Sequence, residues 1–176
     1  MLPGAQNQES RFAKMVLPSN LAARSLTNWR NEMNFAPKTG DELQQARKAA
    51  AARYAAIAMN WLPEGWTVQY RKSLSGRCYY LKQMIVAPKP VTRRALHIFL
   101  HECGHAHLHG PSKKHVRVHV REMEAEQFAF DKMRGAGVAI PDKSRARAKS
   151  YVRRKIKQAV RCGAKKIDPR ATAFAR

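Results

Sequence analysis

The run His101-Glu102-Cys103-Gly104-His105 constrains the fold of this chain more than any other stretch. It fits the pattern H-E-x-x-H, and apolar Ile98, Phe99 and Leu100 precede it, as in a helix with one side buried. On a helix, residues four apart share a face and are separated by a rise of about 6 Å. Two imidazole nitrogens then close on one ion at the roughly 2.0–2.1 Å that zinc requires. Glu102 stands beside them, placed to take a proton from a metal-activated water. Among seven histidines, a lone H-x-x-x-H pair is a weak sign, and a buried, metal-free histidine cluster is the plain alternative. The glutamate at the required position favours metal, and zinc is the expected ion.

Two histidines leave a catalytic zinc one protein ligand short. His97, His101, His105 and His109 form a stripe at four-residue steps. Residues eight apart are about 12 Å apart along a straight helix, so His109 cannot share an ion with His101 and His105. His97 and His109 are therefore read as core, surface or supporting groups. The segment from Arg121 to Ala129 carries Glu122, Glu124 and Glu126. Glu122 shares a helix face with Ala125, Glu126 and Ala129, small residues that let two helices approach. Glu124 shares its face with the bulkier Phe128 and with Asp131. Glu122 is thus the preferred third ligand, with Glu124 as the alternative. Glu126, one turn on, is placed to accept the second ring N–H of a ligand histidine and orient it.

The remaining elements follow from local pattern. Residues 1–17 lack a clear period. A helix is predicted from Ser19 or Asn20 to Pro37, with Ala22, Leu26, Trp29 and Met33 on one side. Thr39 to Glu42 matches a capping box and opens a second helix, its buried side marked by Leu43, Ala46, Ala50, Tyr54, Ile57 and Trp61. Pro63-Glu64-Gly65 ends it. The alternation of Trp66 to Tyr70, a turn at Ser73 to Gly76, and Cys78 through Val86 predict a β-hairpin. Thr92 is the candidate cap of the motif helix, which Gly110-Pro111 ends, with Ser112 to Lys114 as loop. His115 to Val120 alternates and reads as a short strand or extended lead-in to a helix over Arg121–Arg134. Beyond Pro141, Ala148, Tyr151, Val152, Ile156, Ala159 and Val160 form an apolar stripe among charges, predicting a docked amphipathic helix. Gly163 stops it, and Asp168-Pro169 opens a last short helix through Phe174.

Composition bounds the class. The 176 residues suit one domain with a real core, and the formal charge is +22. From Asp142 to Arg176 there are thirteen basic and two acidic residues. Such a field favours polyanions, so nucleic acid through this basic C-terminal segment, or an acidic protein, is an expected partner. Cys78, Cys103 and Cys162 include no C-x-x-C pair and suit a reducing compartment. No apolar leader and no membrane-length apolar run is evident, which predicts a cytoplasmic protein without membrane contact.

The segment His101 to His109 resembles the H-E-L-G-H-x-x-L-H stretch of the ImmA/IrrE metallopeptidases, with Cys103 in place of Leu. The later helix of that family reads roughly E-x-x-A-N-x-F-A. Here it is matched by Glu122-Met123-Glu124-Ala125-Glu126-Gln127-Phe128-Ala129, with Glu126 in place of Asn and Pro141 following. The likeness spans roughly residues 66–141 and extends to the wider gluzincin-like superfamily. It implies an α+β fold: a compact zincin-like core, in which a small β-hairpin or sheet packs on the motif helix and a Glu-bearing helix. Extra N- and C-terminal helices flank this core. Residues 1–40 would then be a helical extension, 41–141 the core and 142–176 a basic helical tail. The implied ligands are His101, His105 and Glu122, and Glu102 is the implied general base. The implied activity is zinc-dependent cleavage of a DNA-associated regulatory protein, such as a repressor, in a phage, plasmid or bacterial setting. Tyr151, or a His or Arg near the cleft, is the candidate oxyanion stabiliser. The competing reading is a nucleic-acid-binding or anti-defence protein with a structural zinc site and no proteolysis.

Overall fold

The structure is a computed structural model and describes residues 39–110 and 116–176. The helix predicted before Pro37, the irregular start and the loop at Ser112 to Lys114 lie outside these residues. The described part is mixed α+β, with five α-helices and one three-stranded sheet. None of its helices is long and apolar enough to cross a membrane.

Helix α1 (Gly40–Asn60) begins directly after Thr39. Among the described residues, its C-terminal half is the part that docks on the core. Ala58 is buried and Tyr54, Ile57 and Trp61 pack against the core, whereas Leu43 and Ala46 are exposed, contrary to the predicted stripe. The first half is mostly polar and charged (Asp41, Glu42, Gln44, Gln45, Arg47, Lys48) and carries little apolar surface to bury. Arg53 fixes the docked half by donating from Nη2 to the Ala136 carbonyl at 2.6 Å.

Strands β1 (Thr67–Arg71), β2 (Arg77–Tyr79) and β3 (Met84–Pro88) form a sheet of order β1-β3-β2. β1 runs parallel to β3, with Val68 opposite Ile85, and β2 runs antiparallel to β3, with Cys78 opposite Ile85. The predicted pairing of Trp66–Tyr70 with Cys78–Val86 as one hairpin is therefore corrected. The hairpin lies inside the second segment. A tight 3-10 turn at Tyr80–Lys82 and a left-handed Gln83 (φ 45°) reverse the chain there. β1 then adds to the far edge of β3.

Helix α2 (Arg93–Leu108) carries the motif, and Thr92 caps it by accepting from the Ala95 amide at 3.1 Å. Its apolar side (Leu96, Phe99, Leu100, Cys103) is buried with Ile85 and Ala87 of β3. Helix α3 (Val118–Gly135) packs along α2. The approach is close at Gly104, where a Cβ would stand 3.0 Å from Ala125 Cα and 3.1 Å from Phe128 Cβ. Val118 and Val120 belong to α3, so the strand reading of that stretch is also corrected: their alternation is outweighed by helical packing, with Val120 buried beside Met123. Helix α4 (Asp142–Arg161) docks through Ser144, Ala148 and Val152, while Val160 is 55% exposed. Short α5 (Pro169–Ala175), capped by Asp168, packs against α4.

Candidate metal centre

Helices α2 and α3 carry the histidines and the glutamate to one point because each places its functional side chains on its facing side. His101 Nε2 lies 3.1 Å from His105 Nε2, and Glu122 Oε2 lies 3.4 Å and 3.3 Å from them. These three atoms form a nearly equilateral triangle. Donors at tetrahedral angles around an ion with bonds of roughly 2.0–2.1 Å are about 3.3 Å apart. The residues present thus fit a divalent metal, and the group His101, His105 and Glu122 could hold one. Glu124 is not in this group. Its carboxylate lies 3.7 Å from His109 Nε2 and 3.4 Å from Arg170 Nη2. His109 Nε2 is 3.1 Å from the Arg121 carbonyl, apart from the triad.

The supporting groups define which ring nitrogens face the triad. Glu126 Oε1 lies 3.4 Å from His101 Nδ1, and its other oxygen lies 2.7 Å from His97 Nε2. Glu126 therefore bridges two histidines of α2, with His97 stacked on Phe130 behind it. A proton on His101 Nδ1 leaves the Nε2 lone pair toward the triad. Sequence reasoning left the role of His97 open; its place one turn before His101 was the available sign.

Burial and mutual charge set the protonation of this cluster. Burial works to strip the proton from His101, but Glu122 and then Glu126 outweigh it and hold the ring protonated well above the usual imidazole range. Burial lowers His105, keeping it neutral. Burial alone would raise Glu122 and Glu126. Instead His101 and His105 hold Glu122 below the ordinary carboxylate range, and His101 and His97 hold Glu126 down to about 2. Glu102 is different: burial pushes it up to about 7, against the pull of His101 and with the help of Glu122 and Glu126.

Two cavities meet at the centre. One, of about 410 Å³, includes His101, Glu102 and Glu126 in its lining. The other, of about 250 Å³, includes His105, Glu122, Tyr80 and Arg121. Glu102 and Tyr151 line both. Burial, followed by the Glu122 charge, raises the Tyr151 hydroxyl to about 12, so it remains a proton donor. Gly76, just before the edge strand β2, covers Glu102 closely, and a Cβ there would fall 2.6 Å from Glu102 Cγ. Neither Gly76 nor Tyr80 was singled out from sequence, where nothing local marks their proximity to the motif. No family model, curated protein or solved structure matches this chain.

Proposed function

We propose that the protein is a zinc-dependent metallopeptidase of the gluzincin type, with a DNA-associated regulatory protein as its substrate. The observation that carries the reading is the His101–His105–Glu122 triangle with the buried Glu102 beside it, open to cavities on two sides. Two histidines and one carboxylate suit zinc, and three protein ligands leave a position for water or substrate. When bound, zinc would supply Lewis acidity to a water and to the scissile carbonyl.

The chain's own residues account for the other roles. Glu102 accepts the proton of the attacking water and returns it to the leaving amine nitrogen; its burial raises the carboxyl from the ordinary carboxylate range, the direction that suits a group which both takes and gives a proton. Tyr151, its hydroxyl protonated, donates a hydrogen bond to the oxygen on which charge develops. The outer strand β2 supports the entry of an extended peptide, since Gly76, Arg77 and Cys78 border the cavity at the triad. Glu126 and His97 position His101.

The basic exposed side of α4, with Arg145, Lys149 and Lys157, favours a second reading in which the metal is structural and the protein binds nucleic acid. A structural metal has no use for a buried carboxyl aimed into an open cavity. Glu102→Gln separates the two. It abolishes peptide-bond cleavage and leaves metal content and fold intact if the peptidase reading holds. Retention of the biological effect by this variant, with stoichiometric metal, makes the protein a binder. Metal content by mass spectrometry, wild type beside His105→Ala, tests the centre itself: one zinc per chain, lost in the variant.

A further inference from the structure

The larger cavity has two chemically distinct ends. Its inner end is the centre just described. Its outer end is bordered by Arg94 from the first turn of α2 and by Lys143 and Arg147 from α4. All three cations are exposed, and none pairs with a carboxylate among the described residues. Among the described residues, the acids lining the cavity are Glu102 and Glu126, which sit at the inner end, where Glu126 bridges His97 and His101. Leu74, Ile98 and Pro141 supply apolar wall to the same cavity. The smaller cavity repeats the theme, with Arg77 and Arg121 beside Glu122.

We infer that the outer end of the larger cavity is a specificity subsite for an acidic side chain, so the substrate is a peptide segment carrying Asp or Glu near the bond to be cut. The inference rests on the peptidase reading and adds a position to it. Lys143, Arg147 and Tyr151 follow one another at four-residue steps and so form one row along α4. From Tyr151, Arg147 lies about 6 Å and Lys143 about 12 Å along the helix axis. An extended peptide advances about 3.3 Å per residue, which places the favoured Asp or Glu about two to four residues from the scissile bond. Unpartnered guanidinium and ammonium groups recognise a carboxylate by charge-assisted hydrogen bonds. The apolar wall accommodates the aliphatic part of such a side chain. A recess of about 410 Å³ suits a peptide side chain and its neighbours, whereas a DNA duplex is too wide to enter it.

The test uses the full chain with zinc added. A peptide library digested by the wild-type protein is read by mass spectrometry, beside the double variant Lys143→Glu/Arg147→Glu, whose exposed positions tolerate the change. Asp and Glu enriched about two to four residues to one side of the cut, replaced by Lys and Arg in the double variant, is the expected result. Cleavage without acidic preference overturns the subsite and leaves the peptidase standing. If nothing is cut, the peptidase reading fails by itself and binding decides the subsite. A fluorescein-labelled peptide with three Glu residues should bind roughly tenfold tighter than its Gln counterpart to the Glu102→Gln protein, and the Lys143→Glu/Arg147→Glu changes made on that background should remove the difference. Equal affinities, including no measurable binding of either peptide, overturn the inference. So does a single-stranded oligonucleotide that binds tighter than the Glu peptide and loses that affinity in the double variant, which would assign the recess to phosphate.

Discussion

At the scale of single residues, the centre is a set of carboxylates and imidazoles that hold one another's protons. His101 keeps its ring protonated in the metal-free chain because Glu122 and Glu126 outweigh the effect of burial. A metal ligand nitrogen must be unprotonated, so binding of a divalent ion expels about one proton from this ring. Apparent zinc affinity should then rise about tenfold per pH unit across neutral pH and level off once His101 has lost its proton. Calorimetry in buffers of different ionisation enthalpy reads the released proton directly. An affinity insensitive to pH and buffer would place His101 outside the ligand set. Glu126 has the opposite sign. Its folded pKa of about 2 is below the ordinary 4.5, so its contribution is present above 4.5 and is lost as pH falls toward 2. A second expectation concerns Gly76, whose missing Cβ leaves room for the Glu102 side chain. Gly76→Ala displaces that carboxylate. Peptide cleavage should fall about 10–100-fold with zinc content unchanged, since small misplacements of a reacting group are costly. Loss of zinc together with activity would show that the loop supports the ligands instead.

At the scale of elements, the site depends on two helices held at a close crossing. Gly104 and Ala125 set that distance. Gly104→Val inserts bulk against the α3 backbone and should lower stability by about 1–3 kcal/mol in urea unfolding. It should also weaken zinc binding, because His101 and His105 come from α2 and Glu122 from α3. Unchanged stability and affinity would mean the helices do not need this approach. The same elements explain what was readable beforehand. The motif helix announces itself through its apolar period and the Thr92 cap, which are local features. Glu122 was separable from Glu124 because helical periodicity places Ala125 and Ala129 on its face. Strand pairing was not readable: the order β1-β3-β2 depends on the reversal at Gln83 and on which edge of β3 stays free, and neither is a property of an alternating pattern. The lining of the cleft was hidden for a related reason. Arg77, Arg94, Arg121, Lys143 and Arg147 are five of 34 basic residues, and only the packing of β2, α2, α3 and α4 draws them around one centre.

At the scale of the whole molecule, the charge of +22 has two separable consequences. Cations inside the cleft bear on peptide selection, whereas those on the outward side of α4 face solvent and suit a polyanion. Arg145, Lys149 and Lys157 lie at multiples of four residues and are exposed, so they form one row. Arg153 falls in the same row but donates to the Ala175 carbonyl, which ties it to α5. Binding of duplex DNA through this row would be electrostatic and largely independent of sequence, because phosphate contacts carry no base information. Each phosphate neutralised releases counterions, so the logarithm of the affinity falls linearly with the logarithm of salt concentration, with a slope of about 0.9 per contact. Replacing Arg145, Lys149 and Lys157 by Gln should make that slope shallower by up to about 2.7, with cleavage of a free peptide unchanged. Fluorescence anisotropy of a labelled duplex across a salt series checks the first part, and a peptide assay at fixed salt the second. A flat salt response of the wild-type protein would remove DNA from its partners. The acidic preference inferred for the cleft would be untouched, since the two sets of cations share no member.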